Sequence, residues 1–468
     1  MRLKELFSAK DMTQGSPWKR ILEFSIPMLL GNIAQQLYNT ADSVIVGMYV
    51  GDNALAAVGS ASPILNLLLA LFVGISTGAG IVVSQSFGAR DRDGLSKGIG
   101  NCISLTLVAT VFIMVFGPMI TRPMLTLLDT PTSIIDWCTD YLNIFFWGVA
   151  GFFFYNMLSG ILRGLGDSLS ALGFLLLAAA LNVVLDLVFV AKFGMGVPGV
   201  ALATVIAQAI SAVFCFVKLM RMSEHFDMNR STVRLEKNMA MRIIRIGVPS
   251  GITQAIMSMS MMVVQTLTNS MGEMVIAANV IIMRVDGFAM MPNFSFGQAM
   301  SVYTGQNVGA GKWSRVQKGV IQGSLIAQAF AVTIVMVILT LNTYLFSIFT
   351  ETQQLIDLAS EMMNIMAVGY IAMSITQVLG GVMRGCGDTV TPMWISICST
   401  VVLRIPIAYI IAYLTRSEAW PNGHPFALSI SLLASWVIGM ILSVVAFRWG
   451  KTRKRIRKEM EGEMLREG

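Results

Sequence analysis

The chain has 468 residues, 55% of them hydrophobic and 13% charged, with a formal net charge of +7. A soluble domain carries about 25% charged residues, so this composition excludes a soluble globular protein and fits an integral membrane one. The positive balance does not point to nucleic acid either, because the basic residues cluster in short loops on one side of the apolar segments, as membrane orientation requires.

Met1 to Arg20 is short, polar and basic, with no cleavable signal, and the first long apolar segment follows directly. Twelve spanning segments are expected near 21–46, 55–83, 98–121, 135–162, 170–191, 197–220, 242–269, 275–304, 319–346, 356–383, 391–414 and 425–448. Several exceed the roughly 20 residues that a span needs, which predicts tilt or bending. Pro27 and Pro249 sit early in segments one and seven, and each removes a backbone donor where a bend would form. The five cysteines (Cys102, Cys138, Cys215, Cys386 and Cys398) have no metal-type or redox spacing and read as small apolar residues. His225 and His424 are the only histidines, both in hydrophilic connections, which argues against haem, zinc or histidine acid–base chemistry in the membrane.

Orientation follows from Lys and Arg. One side receives Arg2, Lys4, Lys10, Lys19 and Arg20, the clusters at Arg90–Lys97 and Lys218–Arg245, Arg163, Lys312–Lys318, Arg384 and everything from Arg448 onward. The other receives Arg122, Lys192 and Arg416. Both termini are therefore expected in the cytoplasm. The tail from Lys451 to Lys458 reads as a topology anchor and a contact for anionic lipid.

The polar connection from Arg221 to Lys237 divides the chain into two halves, and the halves repeat. Arg163-Gly-Leu-Gly-Asp167 recurs as Arg384-Gly-Cys-Gly-Asp388, Gln85 to Ala89 recurs as Gln306 to Ala310, and Gly51-Asp52 recurs as Gly272-Glu273, each 221 residues on. Six spans per half make the repeat parallel, so the fold class is all-α integral membrane, with two six-helix bundles related by a pseudo-two-fold axis along the membrane normal. The expected domains are 1–220, a connecting loop at 221–241, 242–450 and the basic tail at 451–468.

The halves differ in one respect. Asn182 and Asp186, four apart on one helical face, interrupt the apolar run from Ala178 to Ala191. A carboxylate there costs roughly 2.5–3.5 kcal/mol on insertion scales, so it marks either a cation or proton site or a buried structural carboxylate. At the same offset, Asp42, Asn182 and Asp186 become Val263, Leu403 and Ile407, which assigns the acidic feature to the first half alone. Gln35, Asn39 and Asp42 form a stripe on segment one; Gln35 and Asn39 also suit plain helix–helix hydrogen bonding. Thr204 and Gln208 form another i, i+4 pair in segment six. These oxygen ligands suit a hard cation, and two nearby carboxyl groups in low dielectric also suit a proton, so sodium and proton both remain open.

The second half offers Gln254, Met257, Met259, Met261 and Met262 in segment seven, with Met290 and Met291 in segment eight. Methionine suits walls that accept varied apolar ligands, and it equally suits ordinary core packing. Arg284 and Asp286 are two apart, so they do not face each other on a helix; they and Arg404, just before Pro406, are either structural or substrate-contacting.

Twelve spans, parallel halves, the early prolines and the paired R-G-x-G-D loops together resemble the multidrug and toxic compound extrusion (MATE) family over roughly Ser16 to Gly450. The pattern is similar to the prokaryotic branch with its cation site in the N-terminal lobe, and Asp42, Asn182, Asp186 and Thr204 match it. The resemblance implies that Tyr141 and Asn156 line the same cavity and that Met257 and Met373 stand where another branch keeps acids. It implies a monomeric antiporter of the plasma membrane, without cofactor or nucleic-acid partner, in which entry of a proton or sodium ion drives export of amphipathic, often cationic drugs. Bending at Pro27 would collapse the cavity. The alternative is a flippase for lipids or lipid-linked sugars of the same superfamily, which would have a basic cavity where these candidates are mostly acidic. A membrane enzyme lacks a suitably placed His or Cys, and a channel would line both halves with polar groups.

Overall fold

The computed structural model describes residues 9–127, 130–229 and 232–467; Arg2 and Lys4 of the basic N-terminus, and Arg230, lie outside them. Among the described residues all regular structure is helical. The helices are α1 (Pro17–Tyr49), α2 (Asp52–Gly88), α3 (Arg92–Leu127), α4 (Ile135–Trp147), α5 (Val149–Gly164), α6 (Ser168–Asp186), α7 (Gly196–Met220), α8 (Lys237–Ser270), α9 (Glu273–Gly309), α10 (Trp313–Ser347), α11 (Gln353–Ala367), α12 (Gly369–Gly385), α13 (Val390–Ser396), α14 (Arg404–Leu414), α15 (Phe426–Trp449) and α16 (Lys451–Glu467). Two π-helical turns, Leu187–Lys192 and Ile397–Leu403, extend α6 and join α13 to α14.

Nine of the described spans are long and apolar enough to cross a membrane, and the bent pairs α4–α5 and α11–α12 make two more. Helix α1, the first of the spans expected from the sequence, is not among these eleven; it carries the polar face of Gln35, Asn39 and Asp42. The sharp breaks occur at these pairs, 54° and 43°, whereas Pro27 and Pro249 lie inside continuous helices. At the first break Gly148 leaves the helical conformation, and a Cβ there would overlap Val205.

The internal repeat is visible in backbone detail. Helices α2 and α9 have the same length, and each follows a glycine of positive φ, Gly51 at 101° and Gly272 at 103°. Only glycine takes that conformation without strain. Asp167 accepts from the Ser170 amide and hydroxyl at 2.9 and 2.7 Å, and Asp388 accepts from those of Thr391 at 3.1 and 2.8 Å. Both R-G-x-G-D loops thus cap the helix that follows. Small residues let the helices cross closely. Gly80 and Gly164 do so between α2 and α5, and Gly297, Gly381 and Gly385 do so between α9 and α12.

The chain divides into two compact units, Met1–Asp11 with Ile26–Gly251, and Met12–Ser25 with Ile252–Gly468. This differs from the expected boundaries at 220 and 242, and glycine packing explains why. Gly74 and Gly78 of α2 meet Gly247 and Gly251 of α8 backbone to backbone, so a Cβ at Gly78 would lie 2.6 Å from the Gly247 nitrogen. The first half of α8 therefore belongs to unit 1. In unit 2, the start of the chain is held by Gln306, whose Oε1 accepts from the Met12 amide at 2.8 Å, and by Arg315, which donates to the Gly15 carbonyl at 2.9 Å. The basic tail forms helix α16 of unit 2, packed against the rest of that unit. There Glu463 accepts from the Ser314 amide at 2.8 Å, and Thr452 donates to Asp388 at 3.2 Å.

Candidate functional site

Within unit 1, α1, α6 and α7 bring together residues far apart in sequence. Asn182 and Asp186 are fully buried on one face of α6. The orientation of the Asn182 amide that satisfies both its ends places its nitrogen 2.8 Å from Asp186 Oδ2 and its carbonyl 3.2 Å from the Thr204 amide and hydroxyl. Asp42 of α1 lies within side-chain hydrogen-bonding reach of Asp186. Oδ1 of each carboxyl group is buried with no hydrogen-bond partner among the described residues. The α-helix ends at Asp186 and a π-helical turn begins at Leu187, a local widening that recurs at functional sites.

Tyr38, which the sequence reading passed over, joins this group: it lies near Thr204, Asp42 and Asp186. Its position four residues before Asp42 was the available signal. Tyr141 of α4 is buried beside the same two acids and Tyr38.

Other candidates lie apart from this cluster or bond elsewhere. Gln35 donates to Asn39 at 3.3 Å along α1. Asn156 turns back to the Phe152 carbonyl at 2.8 Å. Gln208 is buried, with Oε1 unpartnered among the described residues. No cluster of three or more His, Cys, Asp or Glu side chains capable of holding a metal occurs among the described residues.

Unit 2 contains a cavity of about 560 Å³ lined by Gln254, Met257 and Met290, and by further methionines on α11 and α12. Its charged lining residues are Asp286, Arg384 and Arg404, two basic to one acidic. Asp286 accepts from the Tyr370 hydroxyl at 2.8 Å, a pairing across helices that the spacing from Arg284 left open; Arg284 itself is exposed.

A family model described as MatE matches residues 27–188 and again 249–410, one copy per sequence half. The chain is 27% identical to the probable multidrug resistance protein YoeA of Bacillus subtilis (strain 168), over 96% of this chain and 97% of that one. It is 25% identical to the probable multidrug resistance protein NorM of Thermotoga maritima, over 93% of each. Among solved structures, an outward-facing multidrug resistance MATE family transporter of the MOP superfamily superposes with a TM-score of 0.87 at 24% identity, covering 97% and 99% of the two chains. A MOP superfamily transporter from Pyrococcus furiosus, described as having a binding pocket of reverse polarity, gives 0.85 at 25% identity, covering 97% and 99%. Two family matches, a duplicated twelve-span helical fold and relatives aligned over nearly their whole length lead to one conclusion: this chain is a multi-pass membrane transporter, not an enzyme, and belongs to MatE, the multidrug and toxic compound extrusion family.

Proposed function

We propose that the chain is a cation-coupled antiporter that exports amphipathic, often cationic organic compounds by alternating access, with Asp42, Asn182, Asp186 and Thr204 as its coupling site. The observation that carries this reading is the pair of carboxyl groups, Asp42 and Asp186, within hydrogen-bonding reach inside an apolar helical unit. Two such groups repel when both are charged and are relieved by one proton or one sodium ion between them. In the empty, charged state they attract a cationic drug; in the loaded state they do not. Drug and ion therefore compete, which is the thermodynamic requirement for exchange. Asn182 ties Asp186 to Thr204, and Tyr38 stands beside both acids. Pro27 of α1 leaves one carbonyl without its helical donor, so α1 can bend there between the two loading states at low cost. Both termini face the cytoplasm in this reading, as the positions of Lys and Arg require, and the protein works as a monomer of the plasma membrane.

The names of the relatives, multidrug resistance and multidrug export proteins, support drug-like substrates. The test is resistance and ethidium efflux in cells expressing Asp42→Asn or Asp186→Asn. Both variants should lose export while reaching the membrane at the normal level, and undiminished export in both would refute the reading.

A further inference from the structure

The unit 2 cavity has a chemistry unlike that of the acid pair. Its charged lining sums to one positive charge, from Arg384 and Arg404 against Asp286. Arg404 stands where the second π-helical turn gives way to α14, two residues before Pro406, which cannot donate to the Val402 carbonyl. Its Nε is buried with no hydrogen-bond partner, and no carboxylate lies within 4.0 Å of its guanidinium among the described residues. Asp286 is near enough to influence it but is engaged by the Tyr370 hydroxyl at 2.8 Å. A guanidinium half-removed from water with its Nε unbonded is costly, and a carboxylate or phosphate is the group it binds best. Elsewhere on the lining, Met257, Met290 and Met373 supply adaptable apolar walls. The volume of about 560 Å³ falls in the range of small-molecule sites, roughly 300–1,000 Å³.

We propose that this cavity binds amphipathic anions, with the acidic head on Arg404 and the apolar body against the methionines. The head belongs either to a membrane lipid or to a soluble organic acid, since both present the same chemistry. This site is separate from the coupling pair in unit 1, and the inference stands whether or not that pair couples transport.

The test uses the full chain in phosphatidylcholine nanodiscs and the fluorescent probe dansyl-undecanoic acid. The wild type should bind the probe, and dodecyltrimethylammonium should not displace it. Arg404→Gln should weaken binding at least about tenfold, the loss of one charge-assisted contact. Arg404→Lys should retain most of the affinity, which separates loss of charge from misfolding. Asp286→Asn should bind as tightly or more tightly, because a competing negative charge is gone. Asp42→Asn and Asp186→Asn should bind normally, so a failed coupling site and a failed anion site give different results. Displacement of the probe when phosphatidylglycerol is added to the discs assigns the site to lipid, and retention assigns it to soluble acids. Equal binding by wild type and Arg404→Gln, or equal displacement by the cationic amphiphile, overturns the proposal.

Discussion

Asn182 joins Asp186 to Thr204: its amide nitrogen is 2.8 Å from the carboxyl Oδ2 of Asp186, and its carbonyl is 3.2 Å from the Thr204 hydroxyl. One side chain thus fixes an acid on α6 relative to a hydroxyl on α7. Asn182→Leu, the residue found at the equivalent position of the second half, removes both contacts. Interhelical polar contacts in membranes contribute about 0.6 kcal/mol on average and up to about 1.7. The variant should therefore fold, melt a few degrees lower in detergent and export drug poorly. A normal melting temperature together with normal efflux would show that the linkage does neither job.

Tyr38→Phe deletes only the hydroxyl beside Thr204 and the two acids. A hydrogen bond contributes about 1 kcal/mol net, so coupling-ion affinity should fall about fivefold with no change in expression. Ion titration of ethidium efflux measures this, and an unshifted midpoint would remove Tyr38 from the site.

The acid pair could be read in the sequence because Asp42 and Asp186 break apolar helices, and no soluble rationale covers a carboxylate there. The repeat was equally plain, since Gly166 and Gly387 must both take positive φ and so preserve the loop motif. Tyr38 was hidden because an aromatic residue in a span reads as part of the apolar face until the fold brings polar neighbours from other helices, Asp186 and Thr204, beside it. The breaks at Gly148 and Val368 were hidden for the same reason, being set by packing rather than by proline. The net positive cavity of unit 2 depended on Arg384 and Arg404 lining one space from different helices, which spacing along the chain cannot report.

Gly247 of α8 lies so close to α2 that a Cβ would sit 2.5 Å from the Ile75 Cα, so Gly247→Leu should abolish folded expression. Gly173 in α6 has no such neighbour, and Gly173→Ala should be neutral or stabilising, by up to about 1 kcal/mol. Fluorescence-detected gel filtration compares the two, and a well-folded Gly247→Leu protein would contradict the crossing described for unit 1.

In the polar connection after α7, Arg92 holds the Asp227 carboxyl below its usual range through a contact of 2.7 Å. A lowered carboxylate stabilises the fold above its ordinary titration range near pH 4 and loses that contribution as pH falls through the lower folded value. Nothing in this pair titrates between about pH 6 and 8. Asp227→Asn should therefore leave the pH profile of transport unchanged across that window, as measured by efflux at stepped pH. A displaced profile would place a coupling group in the loop.

The most direct test of the acid pair is ethidium export from proteoliposomes under an imposed proton gradient and, separately, an imposed sodium gradient, with wild type beside Asp42→Asn and Asp186→Asn. Gradient-driven export by wild type under at least one of the two ions, and none by either variant, is the predicted result. Export that proceeds equally in all three proteins, or that ignores both gradients, would contradict a coupling site at Asp42 and Asp186.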